Sequence, residues 1–465
     1  MNIPFRKYSK QYAKYIEDYA TDYFIAISFN TAVLAADFER DVTALLKQEP
    51  HRAGNLHHCY EEPDHIYDTP APRGYKPFYV THYNRHGSRY LNGIQTFDKV
   101  LGVLLPLKEA GKLTPSGDSL VIDLQTIRQE HLGMEGMLTE KGGHELNSIG
   151  RRMAERYPAV FTQKDRCEIL CTSSPVQRCV QSMGYFSLGI QSVYPNLDFT
   201  LLTGDRYRSY LYRKNNMKPY FQKGDEIVKK WIEENMIADE TVTRLVADRG
   251  ELIKLLDGES EKYFLYMIFL AGDNVDCMQE GTPSIVRYFS EKDLLTFWEA
   301  NNMRAYNAVG SSIQNERYRP NWMGSALLKD FLQKADEALQ GNGKCADFRF
   351  GHDAVLAPFM FFLKLEGYDM HIDMTDAADY WHGFEKMCMG SNIQMVFYRN
   401  KKFNVLVKIL RNEVETSIPS VETLHGPYYE WNVLKEYFQK LIDEEEIWES
   451  NLKSSENYID IENLY

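Results

Sequence analysis

Cysteine is scarce in this chain, and its spacing indicates no metal site. Only seven cysteines occur in 465 residues, and none is arranged like the ligands of a structural zinc site. Cys167 and Cys171 lie four residues apart in an apparent strand. At about 3.3 Å per residue they are too far apart to bridge each other. We expect mostly buried thiols, with one or two disulfides as the alternative.

Long apolar runs and net positive charge are also missing. No run is long enough to span a membrane, and the formal net charge is -13 at pH 7. An acidic chain has no long-range attraction to nucleic acid or to an anionic membrane. We therefore expect no nucleic-acid partner and no stable membrane insertion. A small anionic substrate would need a local positive pocket.

The first 35 residues allow two interpretations. "YFIAISFNTAVLAA" has the length of a signal-peptide core, follows four basic residues and ends in small residues suited to cleavage. The preceding segment is long, however, and it contains Glu17, Asp18 and Asp22, which favour an amphipathic N-terminal helix. From the residues alone, both interpretations stay open.

The next part of the chain predicts alternating strands and helices. "FYVTHY" at 78–83 is a short aromatic and β-branched run bounded by turn signals, which predicts a buried strand. Two helical patterns follow, the second with Thr139 as N-cap and an apolar stripe of Leu146, Ile149, Met153 and Tyr157. A strand at 168–174 and another helix come next. This order predicts a layered α/β sheet.

Composition changes near residue 205. Residues 205–335 are rich in Lys, Glu and Asp with little β-branched alternation, which predicts a helical insert. The stretch 346–365 returns to strand, turn and helix, and "IQMVFYRNKKFNVLVKILRNEVE" predicts a hairpin. We expect an α/β domain built from 36–204 and 336–440, interrupted by this insert, and a C-terminal tail at 441–465.

The stretch "THYNRHGSRYL" places charged groups at the end of the predicted strand. Ligands of open α/β sheets bind at such strand ends. Arg85 and Arg89 each offer forked hydrogen bonds to phosphate oxygens, and the imidazole of His86 between them is a competent nucleophile toward phosphorus. Two guanidinium groups disfavour imidazolium, which keeps the ring nucleophilic. The alternative is a surface loop with solvated charges.

Two further stretches have the same placement. "TSSPVQRCVQS" puts Arg178 just after a predicted strand, and "FRFGHDAVLAP" puts His352 and Asp353 after another. If the three strand ends converge, Arg178 and His352 add phosphate-binding donors. Asp353 is then placed to protonate the leaving oxygen. Taken alone, "GHD" fits a simple turn or helix cap.

These motifs resemble those of the branch-two histidine phosphatases, the histidine acid phosphatase group that includes phytases. The segments "RHGSRY", "LTEKGGHELNSIGRRMAERYP", "TSSPVQRCVQSM" and "FRFGHDAVLAP" occur in the expected order and resemble bacterial relatives of multiple inositol polyphosphate phosphatase. Two positions depart from the pattern: Leu91 replaces the final Pro of Arg-His-Gly-x-Arg-x-Pro, and His352-Asp353 replaces His-Ala-Glu.

The resemblance implies a phosphoglycerate-mutase-like fold, with a three-layer sheet, helices on both faces and a helical insert. It also implies metal-independent hydrolysis of phosphomonoesters without a cofactor, through a phosphohistidine on His86. Arg85, Arg89, Arg178 and His352 would bind the phosphate, and Asp353 would donate the proton. Because free Asp has a pKa near 3.9, we expect an acidic pH optimum.

Several alternatives stay open. The Arg-His-Gly core also fits a phosphomutase-like transferase or a non-catalytic protein that binds phosphorylated ligands. His57, His58 and Cys59, like His371 and Asp373, are interpreted as polar loops rather than metal ligands. An inositol polyphosphate would need further cations, for which the chain offers Arg206, Arg208, Arg213, Lys214 and Lys218; their alternative is a solvated helix face. Export to the periplasm or medium is the expectation from the resemblance, with a cytoplasmic location as the alternative.

Overall fold

Strand β1 (Lys76–Arg85) lies at the centre of the sheet that organises the protein. In the computed structural model, the described residues are 41–63, 66–163, 167–212, 218–313, 323–341, 344–423 and 425–453. The predicted leader at 1–35 lies outside them. Residues 1–49 form a unit of their own, whose described part contains helix α1 (Val42–Gln48), capped by the Asp41 carboxylate. Everything from Pro50 onward forms a second unit.

The sheet is mixed. Strands β2 (Glu168–Ser173), β3 (Asp198–Thr203) and β4 (Ala346–Gly351) join β1 as parallel neighbours in the order β3-β2-β4-β1. On the other side of β1, the remaining strands pair in antiparallel fashion. They are β5 (Asn392–Arg399), β6 (Val405–Arg411), β7 (Val414–Thr416) and β8 (Tyr428–Glu430). Strands β5 and β6 are the predicted hairpin.

Helices cover both faces, because successive strand residues point to opposite sides. Ile393, Met395 and Phe397 of β5 join one buried apolar cluster, whereas Val396 and Tyr398 join the other. The helices between the strands are α2 (Gln95–Glu109), α3 (Pro115–His131), α4 (Glu140–Arg156), α5 (Pro158–Phe161) and α6 (Gln177–Val193). The predicted α/β class, with a central sheet between helices, is confirmed.

The described residues between β3 and β4 are helical and contain no strand. Their helices are α7 (Arg208–Leu211), α8 (Lys218–Asn235), α9 (Asp239–Leu245), α10 (Arg249–Leu255), α11 (Glu261–Leu270), α12 (Glu291–Val309) and α13 (Met323–Leu339). Short 3₁₀ turns lie at Asp205–Tyr207, Val275–Cys277 and Ile285–Tyr288. Division of the chain into a phosphatase domain and a separate insert domain stays a prediction.

The C-terminal part adds α14 (Asp353–Leu363), α15 (Ala377–Tyr380), α16 (Gly383–Lys386) and α17 (Trp431–Lys453). The first half of the predicted tail belongs to α17, where Leu441 and Ile442 are buried. A 3₁₀ helix at Pro50–His57 precedes β1 and packs against α12 and α16. It brings residues upstream of the sheet to the same side as the strand ends.

A single disulfide among the described cysteines joins Cys167, just before β2, to Cys345, just before β4. Cys171 is a buried free thiol, in agreement with the spacing argument that it does not bridge Cys167. The bridge joins the amino ends of two parallel strands, β2 and β4. Their carboxyl ends lead into the segments that carry Arg178 and His352.

Candidate active site

Three parallel strands end at the same level of the sheet. The register pairs Arg85 at the end of β1 with Gly351 at the end of β4, and Ser173 at the end of β2 with Phe350. The backbone N–H of His86 donates to Gly351 O at 2.9 Å. The segments after these strands therefore meet along one edge, as the sequence predicts.

His86 lies in the middle of this edge. Its side chain is buried, and its Nδ1 lies 2.9 Å from the carbonyl oxygen of Gly87. A carbonyl only accepts, so Nδ1 carries the proton and the lone pair is on Nε2. Burial lowers the pKa of His86 well below its usual value, and the charges of Arg178 and Arg85 lower it further. The imidazole is therefore neutral, with Nε2 free to attack.

The loop after His86 is clamped against helix α4. A Cβ on Gly87 would lie 2.4 Å from the carbonyl oxygen of Gly142, and one on Gly142 would lie 2.2 Å from that of Ser88. Only glycine permits this contact of backbones. The buried carboxylate of Glu145 accepts from Ser88 N at 2.8 Å and from Ser88 Oγ at 2.7 Å. These contacts fix the direction in which His86 projects.

The charges of three arginines, Arg178, Arg85 and Arg89, lower the pKa of His86. Arg85 is buried, with Nη1 donating to Leu56 O at 2.8 Å and to Met387 O at 2.6 Å. Arg89 donates from Nη1 to Tyr90 O at 2.8 Å, and Arg178 donates from Nη1 to Gly136 O at 3.2 Å. Each guanidinium is thus anchored to backbone by one nitrogen.

Each of the same three arginines also has a hydrogen-bond donor that no described residue accepts from. The Nε–H groups of Arg85, Arg89 and Arg178 are buried and have no acceptor among the residues that the structure describes. Buried polar groups in native proteins normally find partners. An anion with several oxygens supplies such partners, and guanidinium groups bind phosphate with charge-assisted bonds.

His352 is held from several sides. Its backbone N–H donates to Tyr83 Oη at 2.9 Å, and its Nδ1 lies 3.5 Å from Arg178 Nη2. Because the guanidinium can only donate, Nδ1 is the acceptor and Nε2 carries the proton, which faces Ser174 Oγ at 3.2 Å. Burial lowers the pKa of His352 to about 3, with help from Arg178. The rings of His352 and His86 have their centroids 5.5 Å apart.

Asp353 begins helix α14, where the helix dipole favours a carboxylate. Its Oδ1 accepts from the backbone N–H of Ala354 at 2.8 Å, and its Oδ2 pairs with Arg85 Nη2 at 2.9 Å. The side chain is 26% exposed, so part of it is accessible to solvent. Burial acts to raise the pKa of Asp353, but Arg85, His352 and Arg89 outweigh it and lower the pKa to about 2.

The site thus combines neutral imidazoles, guanidinium cations and one ionised carboxylate. Burial and the neighbouring Arg178 and Arg85 lower the pKa of Arg89 to about 10, which still leaves it charged at neutral pH. All six residues predicted from sequence, His86, Asp353, Arg85, Arg89, Arg178 and His352, are brought together by the contacts above. Their chemical roles stay predictions.

Sequence reasoning missed several supporting residues. His57, interpreted as part of a polar loop, lies with Nε2 3.3 Å from Arg89 Nη2. Glu145 and Tyr83 position the loop and His352, respectively. A signal for Glu145 was present, because it lies on the same helical stripe as Leu146 and Ile149. A charged residue on a buried stripe needs a polar partner.

His58, Cys59 and Asp276 are the described residues whose side chains come close enough to suggest a metal site, with ligand atoms within 4.8 Å of one another. In the structure, these side chains contact one another and Glu61. His58 contacts Asp276 at 2.6 Å through Nδ1 and Glu61 at 2.8 Å through Nε2. Burial alone would lower the pKa of His58, but these two carboxylates raise it to about 9. His58 thus forms ion pairs with Asp276 and Glu61, and the interpretation of this stretch as a polar loop stays a prediction.

The candidate substrate cations are only partly described. Arg213 and Lys214 lie outside the described residues, as does the side chain of Lys218. Arg206 and Arg208 are exposed. Arg208 has its guanidinium carbon 5.0 Å from the ring centroid of Tyr212, and that ring lies 4.8 Å from the ring of His352. An exposed cation therefore stands one aromatic ring away from the predicted phosphate site.

This arrangement defines the class of protein. The sequence matches the histidine phosphatase superfamily (branch 2) over residues 80–412, and the chain belongs to that family. The family assignment makes the chain a phosphomonoester hydrolase. Among curated proteins, none matches the chain.

Solved structures of low sequence identity have the same fold. A multiple inositol polyphosphate phosphatase from Bifidobacterium longum, in complex with phosphate, gives a TM-score of 0.72 at 19% identity. The match covers 85% of this chain and 98% of that one. The same protein in complex with inositol hexasulfate gives a TM-score of 0.70 at 19% identity, and the match covers 83% of this chain and 97% of that one. A phytase from D. castellii gives a TM-score of 0.61 at 15% identity, and the match covers 84% of this chain and 85% of that one.

No helix within the described ranges combines the length and apolar character needed to cross a membrane.

Proposed function

We propose that the protein is a metal-independent acid phosphatase that works through a phosphohistidine on His86. The observation that carries the proposal is the neutral, buried imidazole of His86 among three arginines whose buried Nε–H groups have no protein acceptor in the described chain. Such an arrangement favours a bound phosphoryl group over any uncharged ligand. It also presents a lone pair to that group.

The reaction then takes two steps. In the first, Nε2 of His86 attacks phosphorus, the bond to the leaving oxygen breaks, and Asp353 gives its proton to that oxygen. In the second, water attacks phosphorus and gives a proton to the Asp353 carboxylate, and the P–N bond breaks to release inorganic phosphate. Arg85, Arg89, Arg178 and His352 hold the equatorial oxygens and stabilise the redistributed charge.

The low pKa of Asp353 sets a condition on the first step. The carboxyl must be protonated to act as an acid, yet its pKa is about 2 because Arg85 lies against it. A bound phosphate dianion neutralises that cation and adds negative charge, which raises the pKa of a neighbouring carboxyl. Binding of the substrate therefore favours the protonated form of Asp353 that the first step needs. This supports an acidic optimum for turnover.

We further propose inositol polyphosphates as the preferred substrate class. Arg208 is exposed, pairs through Nε with Asp205 at 2.6 Å and lies over the ring of Tyr212, which lies 4.8 Å from the ring of His352. A substrate with several phosphates places a second one within reach of this cation, whereas a sugar monophosphate leaves it unused. Inositol polyphosphates are compact esters that carry several phosphates, so they can present a second phosphate to this cation.

Phosphate release from an aryl phosphate, inositol hexakisphosphate and a sugar monophosphate tests both proposals. Activity on the aryl phosphate is expected if the site is catalytic, and its absence contradicts the phosphatase mechanism. Arg208→Gln is expected to lower kcat/KM for inositol hexakisphosphate about tenfold, the effect of losing one charge-assisted contact. The sugar monophosphate is the internal control, because its rate is expected to stay within about twofold. An equal loss on both substrates contradicts the role of Arg208.

We also propose that the protein is exported to the periplasm or medium. The Cys167–Cys345 disulfide supports this, since such bonds persist mainly in oxidising compartments. N-terminal sequencing of the mature protein recovered from its native host tests the proposal. Cleavage within the first 40 residues is expected, and an intact Met1 start in a cytoplasmic fraction contradicts it.

A further inference from the structure

His57 contacts Arg89 without belonging to the predicted phosphate-binding set. Its Nε2 lies 3.3 Å from Arg89 Nη2, and its Nδ1 lies 2.9 and 3.0 Å from the two carboxylate oxygens of Asp273. The side chain of Asp273 is only 3% exposed, whereas that of His57 is 30% exposed. The three residues thus form a chain of contacts that runs from a buried carboxylate to a guanidinium of the site.

The carboxylate determines what the imidazole can do. An ionised carboxylate only accepts hydrogen bonds, so the proton of neutral His57 stays on Nδ1. The lone pair of Nε2 then faces Arg89, which only donates. Asp273 therefore selects the single tautomer of His57 that can hold the Arg89 guanidinium.

The backbone around this chain of contacts is tightly packed. A Cβ on Gly54 would lie 2.1 Å from Asp273 O, so the 3₁₀ helix carrying His57 packs directly on the Asp273 backbone. Asn274 Nδ2 donates to Arg89 O at 3.0 Å, and Cys277 Sγ donates to His57 O at 2.7 Å. His57, Asp273 and Arg89 are therefore held relative to one another independently of the His57 side chain.

A neutral acceptor is better suited to this place than a carboxylate. A carboxylate directly on Arg89 would neutralise the guanidinium and repel a phosphate dianion, as Asp353 does beside Arg85. An imidazole transmits the orientation set by Asp273 without adding negative charge at Arg89. It orients the guanidinium while leaving its charge available.

We propose that His57, oriented by Asp273, is a positioning residue that holds the Arg89 guanidinium for phosphate binding. The inference rests on the proposed function only in taking phosphate as the bound group. Preorganising a guanidinium reduces the side-chain entropy lost when the anion binds. Loss of His57 should therefore weaken binding through Arg89 and through no other residue.

Two variants of His57 separate its two contacts. His57→Asn keeps an N–H near the position of Nδ1 and loses the acceptor for Arg89, whereas His57→Gln places an amide oxygen near the position of Nε2. We expect His57→Asn to weaken binding of inorganic phosphate about tenfold, as loss of a hydrogen bond to a charged group does. His57→Gln should stay within about threefold of wild type. Isothermal titration calorimetry with inorganic phosphate provides the measurement.

A double-mutant cycle with Arg89→Ala tests whether the effect passes through Arg89. In that background His57→Asn is expected to cause no further loss of phosphate affinity. His58→Gln is the matched control, because His58 is the more buried neighbour and contacts Asp276 and Glu61 but no arginine of the site. It should lower the melting temperature and leave phosphate affinity unchanged.

The outcomes distinguish this inference from the proposed function. An undiminished effect of His57→Asn in the Arg89→Ala background, or an equal loss in His58→Gln, overturns the positioning role. Phosphate binding by a wild-type protein that does not hydrolyse aryl phosphate overturns the phosphatase mechanism alone. A wild-type protein that does not bind phosphate overturns both.

Discussion

Replacing His86 by alanine is expected to reduce kcat by on the order of 10⁴-fold or more, because it removes the atom that forms the covalent intermediate. Neither of the described histidines that contact the site's arginines offers a free lone pair: Nδ1 of His352 faces Arg178 and its Nε2 carries a proton toward Ser174, while Nε2 of His57 faces Arg89. Initial rates with an aryl phosphate give the measurement. Phosphate affinity should persist, because the three arginines and His352 remain.

The control for this variant is His82, which lies four residues earlier, within strand β1. His82 is also fully buried, and its ring stacks on Phe186 at a centroid distance of 4.9 Å. His82→Gln is expected to lower the melting temperature while kcat stays within a few-fold of wild type, since packing defects away from reacting atoms act mainly on stability. If His86→Ala retains more than about one per cent of kcat, His86 is not the nucleophile.

Replacing Asp353 by asparagine is expected to slow the hydrolysis of alkyl phosphates by roughly 10²- to 10⁴-fold, the usual contribution of a general acid. Aryl phosphates with good leaving groups should lose far less, because a phenolate departs without a proton. The measurement is kcat for a series of phosphates that differ in leaving-group pKa. Equal loss across the series contradicts the role of Asp353 as acid.

The pH dependence of kcat gives a second view of Asp353. In the free protein its pKa is about 2, so the protonated form is lost as pH rises above that value. Bound phosphate raises the pKa, so kcat should fall with increasing pH from an acidic optimum. Asp353→Asn should remove this descending limb for an activated substrate. A profile that peaks above about pH 8 is inconsistent with a carboxylic acid donor.

The strands that carry the site were predictable because each leaves a local pattern. β1, β2 and β4 are short runs rich in apolar residues, each followed by a turn or loop that carries polar or charged side chains, and their positions agree with the predictions at 78–83, 168–174 and after 346. β3 was missed. It is an edge strand with residues partly exposed on both faces, so its sequence has no alternation of buried and exposed positions to detect.

The helices and supporting contacts were harder to predict. Two helices were predicted between β1 and β2, but the structure has three long ones and a short one; α3 was the long helix omitted, although Leu120, Leu124 and Ile127 form its buried stripe. The contact of His57 with Asp273 joins residues 216 apart in sequence. The sequence around either residue does not indicate such a pair, because the contact depends on how two distant segments pack. The lowered pKa of Asp353 likewise could not be predicted from sequence, because it depends on Arg85 lying against the carboxylate.

The ion pair between Arg85 and Asp353 also bears on how each catalytic cycle ends. In the proposed cycle Asp353 leaves the second step protonated. Once its carboxyl loses that proton, the carboxylate competes with inorganic phosphate for Arg85, and the two anions repel each other. Closure of the ion pair then favours departure of the product. A strongly cationic pocket would otherwise retain phosphate, so we expect this competing carboxylate to limit product inhibition.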